Sequence, residues 1–268
     1  MRRRALSSKI KTGPKIELQN YLTFEALADN FAVSLSANDI EYCIDGDGNW
    51  KTLAKATKTP YVGKGHLISV KANLSAGTTS AGIGTFSMTS DCAVSGNVLS
   101  LRFGDRIPDT SAIACQISNY FCKNMFKNAV QLIDAQNLIL KAYRINKYGC
   151  NAMFQGCTNL VNPPKLPCTV FNGSDVYAFM FDGCTALEKA PDLPATSLPD
   201  SYRYMFRGCT NLKYIKAMFI EISSAAYLDE WVNGVSSSGT FVKNAAATWD
   251  VTGTDGVPSG WTVETATE

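Results

Sequence analysis

The stretch 180–196, MFDGCTALEKAPDLPAT, contains a motif that recurs through the second half of the chain. Its first two residues, Met-Phe, return at steps of 28, 27 and 25 residues, and a Leu always stands seven positions after the Met. A fixed period of about 20 to 50 residues is typical of a repeat protein, in which stacked coils share one core. The four copies begin at Met125, Met153, Met180 and Met205.

Each copy predicts one coil of a solenoid. Met and Phe would face inward from a short helix, at 148–155 or 176–182, and Gly156 or Gly183 would end that helix in the left-handed conformation. A strand through the repeat Leu would follow. Prolines such as those at 163–164 would end the strand, because proline cannot donate to a β-ladder.

Three of the nine cysteines, Cys157, Cys184 and Cys209, occupy the same place in consecutive copies. They would stack in the core as reduced thiols, because a ladder of equivalent residues cannot be joined pairwise by disulfides. The chain has no Cys-x-x-Cys pair, so a zinc ribbon or a thioredoxin motif is not expected. We expect no bound metal and no cofactor.

Upstream of the repeats, residues 21–103 alternate apolar and polar side chains in six short runs separated by turn residues. This pattern predicts a compact β-sandwich. Asp45, Asp47 and Asn49 alternate as calcium ligands would, but positions six and twelve of an EF-hand loop would be Trp50 and Ala56. A hairpin turn is therefore the preferred interpretation.

The predicted fold class is mixed β and α/β, with four regions. They are a basic arm at 1–20, a β-sandwich at 21–105, a solenoid of about four coils at 106–222 and a β cap at 223–268. In the cap, aromatic and aliphatic side chains would cover the last coil: Leu228, Trp231, Phe241, Trp249 and Trp261.

Charge is concentrated at one end. The chain totals +2, but the first 15 residues hold six cations and no anion, so the remainder carries −4. This distribution predicts an arm that anchors the protein to a partner, and no specific binding of nucleic acid by the acidic body. The cations are Arg2, Arg3, Arg4, Lys9, Lys11 and Lys15.

The composition excludes many enzymes, because His66 is the single histidine and no nucleophile elbow or phosphate loop is visible. Catalysis by His66, or by Asp45 with Asp47, is the weakest functional hypothesis. The longest apolar run, 176–181, has six residues, far below the roughly 18 that a membrane-spanning helix needs. Neither a membrane span nor an export signal is expected.

The motif and its flanks resemble the BspA-like leucine-rich repeats of gut Bacteroidota and of their phages, including the crAss-like phages. The resemblance rests on Met-Phe-x-Gly-Cys-Thr-x-Leu followed by Pro-x-Leu-Pro-Ala-Thr, on 40–50 and 95–105, and on 239–244 and 257–263. It implies a leucine-rich-repeat solenoid in a non-enzymatic virion protein, a head or tail fibre or decoration subunit. The alternative is a bacterial cell-surface adhesin.

The same resemblance implies partners. Other virion proteins would bind the arm, the protein would form homo-oligomers, and a host surface protein or glycan would meet the repeats. On each strand, side chains next to the buried Leu point outward. The predicted interaction surface is Val161, Asn162, Glu188, Lys189, Lys213 and Tyr214.

Overall fold

A computed structural model of the chain describes residues 20–74, 80, 82–109, 111, 115–197, 201–222 and 224–267. They form short strands and many turns, with one four-residue helix α1 (Ser100–Phe103) and one 3-10 segment at Ala225–Leu228. The strands are β1 (Leu22–Ala26), β2 (Val33–Leu35), β3 (Ile40–Ile44), β4 (Lys51–Leu53), β5 (Leu67–Lys71), β6 (Phe86–Met88), β7 (Cys92–Asn97), β8 (Gln116–Ile117), β9 (Leu132–Ile139), β10 (Arg144–Asn146), β11 (Phe171–Asn172), β12 (Tyr214–Ala217), β13 (Thr240–Lys243) and β14 (Thr262–Thr265).

The N-terminal part is built on one six-stranded sheet with the order β4-β3-β5-β1-β7-β9. Its strands pair antiparallel except for β7 with β9, and β9 belongs to the first repeat. A second sheet contains only β2 and β6. The sandwich predicted for 21–105 is therefore incorrect in detail. Alternation predicted β1 to β5, but β6 and β7 were not predicted, and the sixth run, 98–103, contains α1 instead of a strand. The partner of β7 is supplied by a long-range pairing that no local pattern records.

The second half is a solenoid of about six coils, which fits the predicted repeat architecture. We number the coils 1 (115–141), 2 (142–168), 3 (169–197), 4 (201–222), 5 (224–249) and 6 (250–267). Parallel three-stranded sheets, β11-β10-β8 and β12-β13-β14, join neighbouring coils. Met125, Met153, Met180 and Met205 are fully buried, so the repeat motif supplies the core of four successive coils.

The helices predicted at 148–155 and 176–182 are absent, and the α/β part of the predicted fold class is incorrect. Coils 1 to 5 instead each have a turn ribbon, in which amides alternate between two kinds of acceptor. Met153 N–H donates within its coil to Cys150 (3.2 Å), and Phe154 N–H donates to Met180 in the next coil (2.9 Å). The ribbons span 118–129, 147–157, 174–184, 201–209 and 229–235.

A positive φ at every fourth residue makes this ribbon possible. In coil 2 the angles are +56° at Tyr148, +52° at Ala152 and +74° at Gly156. The left-handed conformation predicted for Gly156 and Gly183 is thus present, but it ends a turn and not a helix. Apolar pairs spaced by four residues suit both a helix and this ribbon, and only hydrogen bonds between coils favour the ribbon.

The repeat continues beyond the motif that the sequence displays. Phe206 N–H donates to the carbonyl of Trp231 (2.8 Å), as Phe181 N–H donates to Met205 (2.9 Å). Trp231 therefore takes the Met position of coil 5. Three positions later, Gly234 has a φ of +77° and lies directly over Gly208. Leu228, Phe241, Trp249 and Trp261, expected in a cap, are buried in coils 5 and 6.

Candidate functional site

A ladder of phenylalanine rings runs through the solenoid beneath the turn ribbons. Ring centroids of Phe86, Phe126, Phe154, Phe181 and Phe206 follow one another at 5.4 to 5.8 Å, with nearly parallel planes. Such stacks add to the free energy of burial. One continuous hydrophobic core therefore joins the N-terminal sheet to the last coils.

The repeat cysteines form a second ladder beside the rings. Each thiol donates to the carbonyl of the repeat Phe in the preceding coil: Cys157 to Phe126 (3.0 Å), Cys184 to Phe154 (3.1 Å) and Cys209 to Phe181 (3.0 Å). All nine cysteines of the chain are free and buried. Burial raises the pKa of the Cys157 thiol to about 12, so the neutral thiol is the form that the core holds.

The residues weighed for catalysis have structural partners. His66 Nδ1 lies 2.7 Å from Asp45 Oδ2, and Asp45 Oδ1 accepts the N–H of Leu67 (2.9 Å). Asp47 Oδ1 accepts the N–H of Asn49 (2.9 Å) inside the predicted hairpin turn. These contacts fasten the 45–49 turn to β5. In the described ranges, no group of three or more His, Cys, Asp or Glu residues is arranged to hold a metal ion.

A groove of about 490 Å³ lies on the strand side of the solenoid, between coils 2 and 3. A second groove, of about 600 Å³, continues it towards coil 1 and shares Gln136, Lys165 and Pro167 with it. Proline rings form much of the wall, from Pro163, Pro164, Pro167, Pro191 and Pro194. The volume lies in the range of about 300 to 1,000 Å³ that small-molecule sites occupy.

Three residues of the predicted interaction surface line this groove, namely Val161, Asn162 and Lys189. The other three lie beside it. Glu188 and Lys213 form a long, exposed ion pair (Oε2–Nζ, 3.9 Å), and the Lys189 ammonium group lies 4.7 Å from the centre of the Tyr214 ring. The six anchor residues, Arg2 to Lys15, fall outside the described part of the chain.

Sequence reasoning did not single out Gln136, Lys165 or Asp192, which also line the groove. The signal that could have found them is the alignment of the repeats. Pro163 stands three residues after the repeat Leu of coil 2, which is the position that Ala135 holds in coil 1 and Ala190 holds in coil 3. A proline at this position has no N–H to donate to the next coil, so it marks the place where the strand side opens.

On the opposite side, the ribbon surfaces carry ion pairs between coils. Arg207 donates twice to Asp182 (3.1 and 2.9 Å), and Arg203 donates to Asp175 (2.6 Å). These carboxylates are largely buried while the arginines are partly exposed. Each of these two carboxylates is therefore neutralised by an arginine of the next coil.

None of the described helices is long and apolar enough to cross a membrane. Comparison of the chain with protein-family models, with curated proteins and with solved structures finds no match. The class that the fold itself defines is a repeat solenoid joined to a β-rich N-terminal part.

Proposed function

We propose that this chain is a non-enzymatic virion structural protein, a head or tail fibre or decoration subunit of a phage. Its basic segment 1–15 attaches it to other virion proteins, and its leucine-rich-repeat solenoid faces outward for surface interaction. The proposal extends to homo-oligomerisation on the particle.

The observation that best supports this role is the continuous core. The phenylalanine ladder and the β7–β9 pairing join the N-terminal sheet directly to coil 1. A module of this kind holds its groove at a fixed place relative to the N-terminal sheet. That property suits a protein that displays a binding surface on a particle.

The charge distribution supports attachment through the arm. Six cations in residues 1–15 contrast with a net charge of −4 on the remainder. Exposed charges in water are screened, and ordering the segment costs conformational entropy, so the arm gains stability only against a complementary acidic partner. The association should then weaken as salt is added.

The experiment compares four forms of the protein in particles purified by density-gradient centrifugation. They are the full chain, a deletion of residues 2–15, a form with the six cations replaced by Gln, and a form with residues 2–15 shuffled. We expect the full and shuffled forms in particles, and loss of the deleted and Gln forms. Incorporation of the deletion form would place the attachment in the folded part.

A bacterial cell-surface adhesin is the second candidate, because an exposed groove on a stiff solenoid serves either role. Antibody raised against residues 116–267 separates the two. Label on purified particles supports the virion protein, whereas label on intact bacteria that carry no phage supports the adhesin.

A further inference from the structure

After the repeat Leu, the backbone of coil 3 is hydrogen-bonded to coil 4, whereas the corresponding segment of coil 2 is not bonded to coil 3. Between coils 3 and 4, Ala190 N–H donates to Tyr214 (2.9 Å) and Leu193 N–H donates to Lys216 (2.9 Å). No backbone hydrogen bond joins 160–168 to 187–196, all of which the structure describes. The turn ribbons of coils 2 and 3 remain bonded, and so do β10 and β11 at the start of these coils, so the opening is confined to the segments after the repeat Leu.

Pro163 explains this difference. In the equivalent position, Ala135 N–H donates to Asn162 (2.8 Å) and Ala190 N–H donates to Tyr214 (2.9 Å). Proline has no N–H, so coil 2 cannot make the corresponding bond to coil 3. The gap left on the strand side is the groove.

The polar atoms of the groove are mainly acceptors. The side-chain amides of Gln136 and Asn162 each donate one N–H to Asp134 (3.0 and 2.7 Å), so each keeps its oxygen and its second N–H for a ligand. The carbonyls of 163–167 accept no backbone N–H within the described residues. A ligand seated here would therefore have to supply many donors.

The positive charges of the groove are unopposed. Lys165 and Lys189 are exposed at its rim, and neither forms an ion pair with a carboxylate in the described part of the chain. Asp192, the one acid in the lining, lies 3.7 Å from the Lys216 ammonium group. The groove thus combines neutral acceptors with two available cations.

We propose that this groove binds an acidic oligosaccharide. Sugar hydroxyls donate to the carbonyl and amide oxygens, the apolar faces of the sugar rings rest on the proline rings, and sugar carboxylates pair with Lys165 and Lys189. This inference rests on the proposed function, because it names the ligand class of the surface that the solenoid presents.

An acidic peptide fits the chemistry less well. An extended peptide alternates donors and acceptors along its backbone and binds a strand edge that offers both. Three of the five residues in 163–167 are prolines, so this edge offers mainly acceptors. A polyhydroxylated ligand can meet an acceptor-rich surface without leaving its own carbonyls unpaired.

Calorimetry on the full chain tests the inference with three acidic tetrasaccharides, of galacturonate, mannuronate and sialic acid. The matched controls are their neutral methyl esters and a tetraglutamate peptide. We expect at least one acidic tetrasaccharide to bind, its ester to bind at least tenfold more weakly, and the affinity to fall with salt. Absence of binding by all three, or tighter binding of the peptide, overturns the inference.

Variants locate the site. Lys165→Gln and Lys189→Gln should each weaken binding several-fold, whereas Lys58→Gln, at an exposed lysine of the N-terminal part, should leave it unchanged. Pro163→Ala restores the missing donor and should close the groove, with a loss of affinity of about tenfold and an unchanged fold by circular dichroism. Equal effects of the Lys189 and Lys58 changes would place binding elsewhere.

The same variants separate this inference from the proposed function. A groove variant that loses sugar binding yet still enters particles supports both. Sugar binding by a protein that never enters particles supports the groove and removes the virion role.

Discussion

The turn ribbons of coils 1 to 5 repeat the same hydrogen-bond pattern, whereas the strand side changes from one junction to the next. On the ribbon side, each repeat Phe ring stacks on its equivalent in the neighbouring coil, each repeat Cys thiol donates to the Phe carbonyl of the preceding coil, and alternate amides bond to the next coil. On the strand side, coils 4 to 6 form a parallel sheet, whereas the segments after the repeat Leu of coils 2 and 3 stay unpaired with each other. Stability is thus concentrated on the ribbon side, which leaves the strand side free to vary and to form a groove.

The largest expected effect comes from removing one ring of the ladder. Phe154→Ala should lower the free energy of unfolding by about 3 to 5 kcal/mol, because a fully buried ring between Phe126 and Phe181 would leave a cavity. On the strand side, Val161 is 46% exposed, so Val161→Ala should change the free energy of unfolding by less than about 0.5 kcal/mol. Urea unfolding of both variants checks this, and equal losses would contradict the division into two sides.

Alkaline pH should weaken the ribbon side through its thiols. The pKa of Cys157 rises on folding from an ordinary 9.0 to about 12, so the folded chain holds this proton more tightly than the unfolded chain does. The stabilising effect is complete below pH 9 and is lost as pH rises from about 9 towards 12. Between pH 8 and 10, one such thiol accounts for a loss of about 1.4 kcal/mol.

The control for this prediction is Cys157→Ala. Its free energy of unfolding should fall over the same interval by about 1.4 kcal/mol less than that of the parent, because one titrating thiol is gone. Urea unfolding at pH 8 and pH 10 gives both values. Parallel losses in parent and variant would show that this thiol does not carry the effect.

Opening a second junction should have an intermediate effect. Ala190→Pro removes the N–H that donates to Tyr214 and should cost about 1 to 3 kcal/mol, since the Tyr214 carbonyl loses its partner. Hydrogen exchange should show faster exchange at Leu193 and little change in the ribbon of 174–184. Uniform acceleration across coil 3 would mean that the two sides do not open independently.

The smallest effect concerns backbone conformation in the ribbon. Ala152 has a φ of +52°, so Ala152→Gly should raise the free energy of unfolding by up to about 1 kcal/mol. The matched control is Ala178, which is also buried but does not have a positive φ. Ala178→Gly should lower the free energy of unfolding by about 0.5 to 1 kcal/mol. Thermal unfolding should therefore shift in opposite directions for the two variants. The same sign for both would argue against a specific benefit of the left-handed position.

Part of the candidate site was predictable from the repeat. Counting outward from each repeat Leu located Val161, Asn162 and Lys189, which line the groove. The groove itself does not follow from the sequence pattern, because a proline after the repeat Leu predicts only the end of a strand. Gln136 comes from coil 1 and Asp192 from coil 3, and no local pattern shows that they flank the same opening.

The sequence by itself determined the repeat, its core residues and the burial of its thiols, because a motif with fixed spacing places equivalent side chains at equivalent depths. Tertiary structure alone decided between helix and turn ribbon, since apolar pairs every four residues satisfy both and only bonds to the next coil favour the ribbon. It also decided that Trp231, predicted to cover the last coil, takes the Met position of a fifth coil. The opening at Pro163 depends on both. The sequence shows that residue 163 has no N–H, and only the tertiary structure shows that the equivalent N–H in other coils bonds to the next coil.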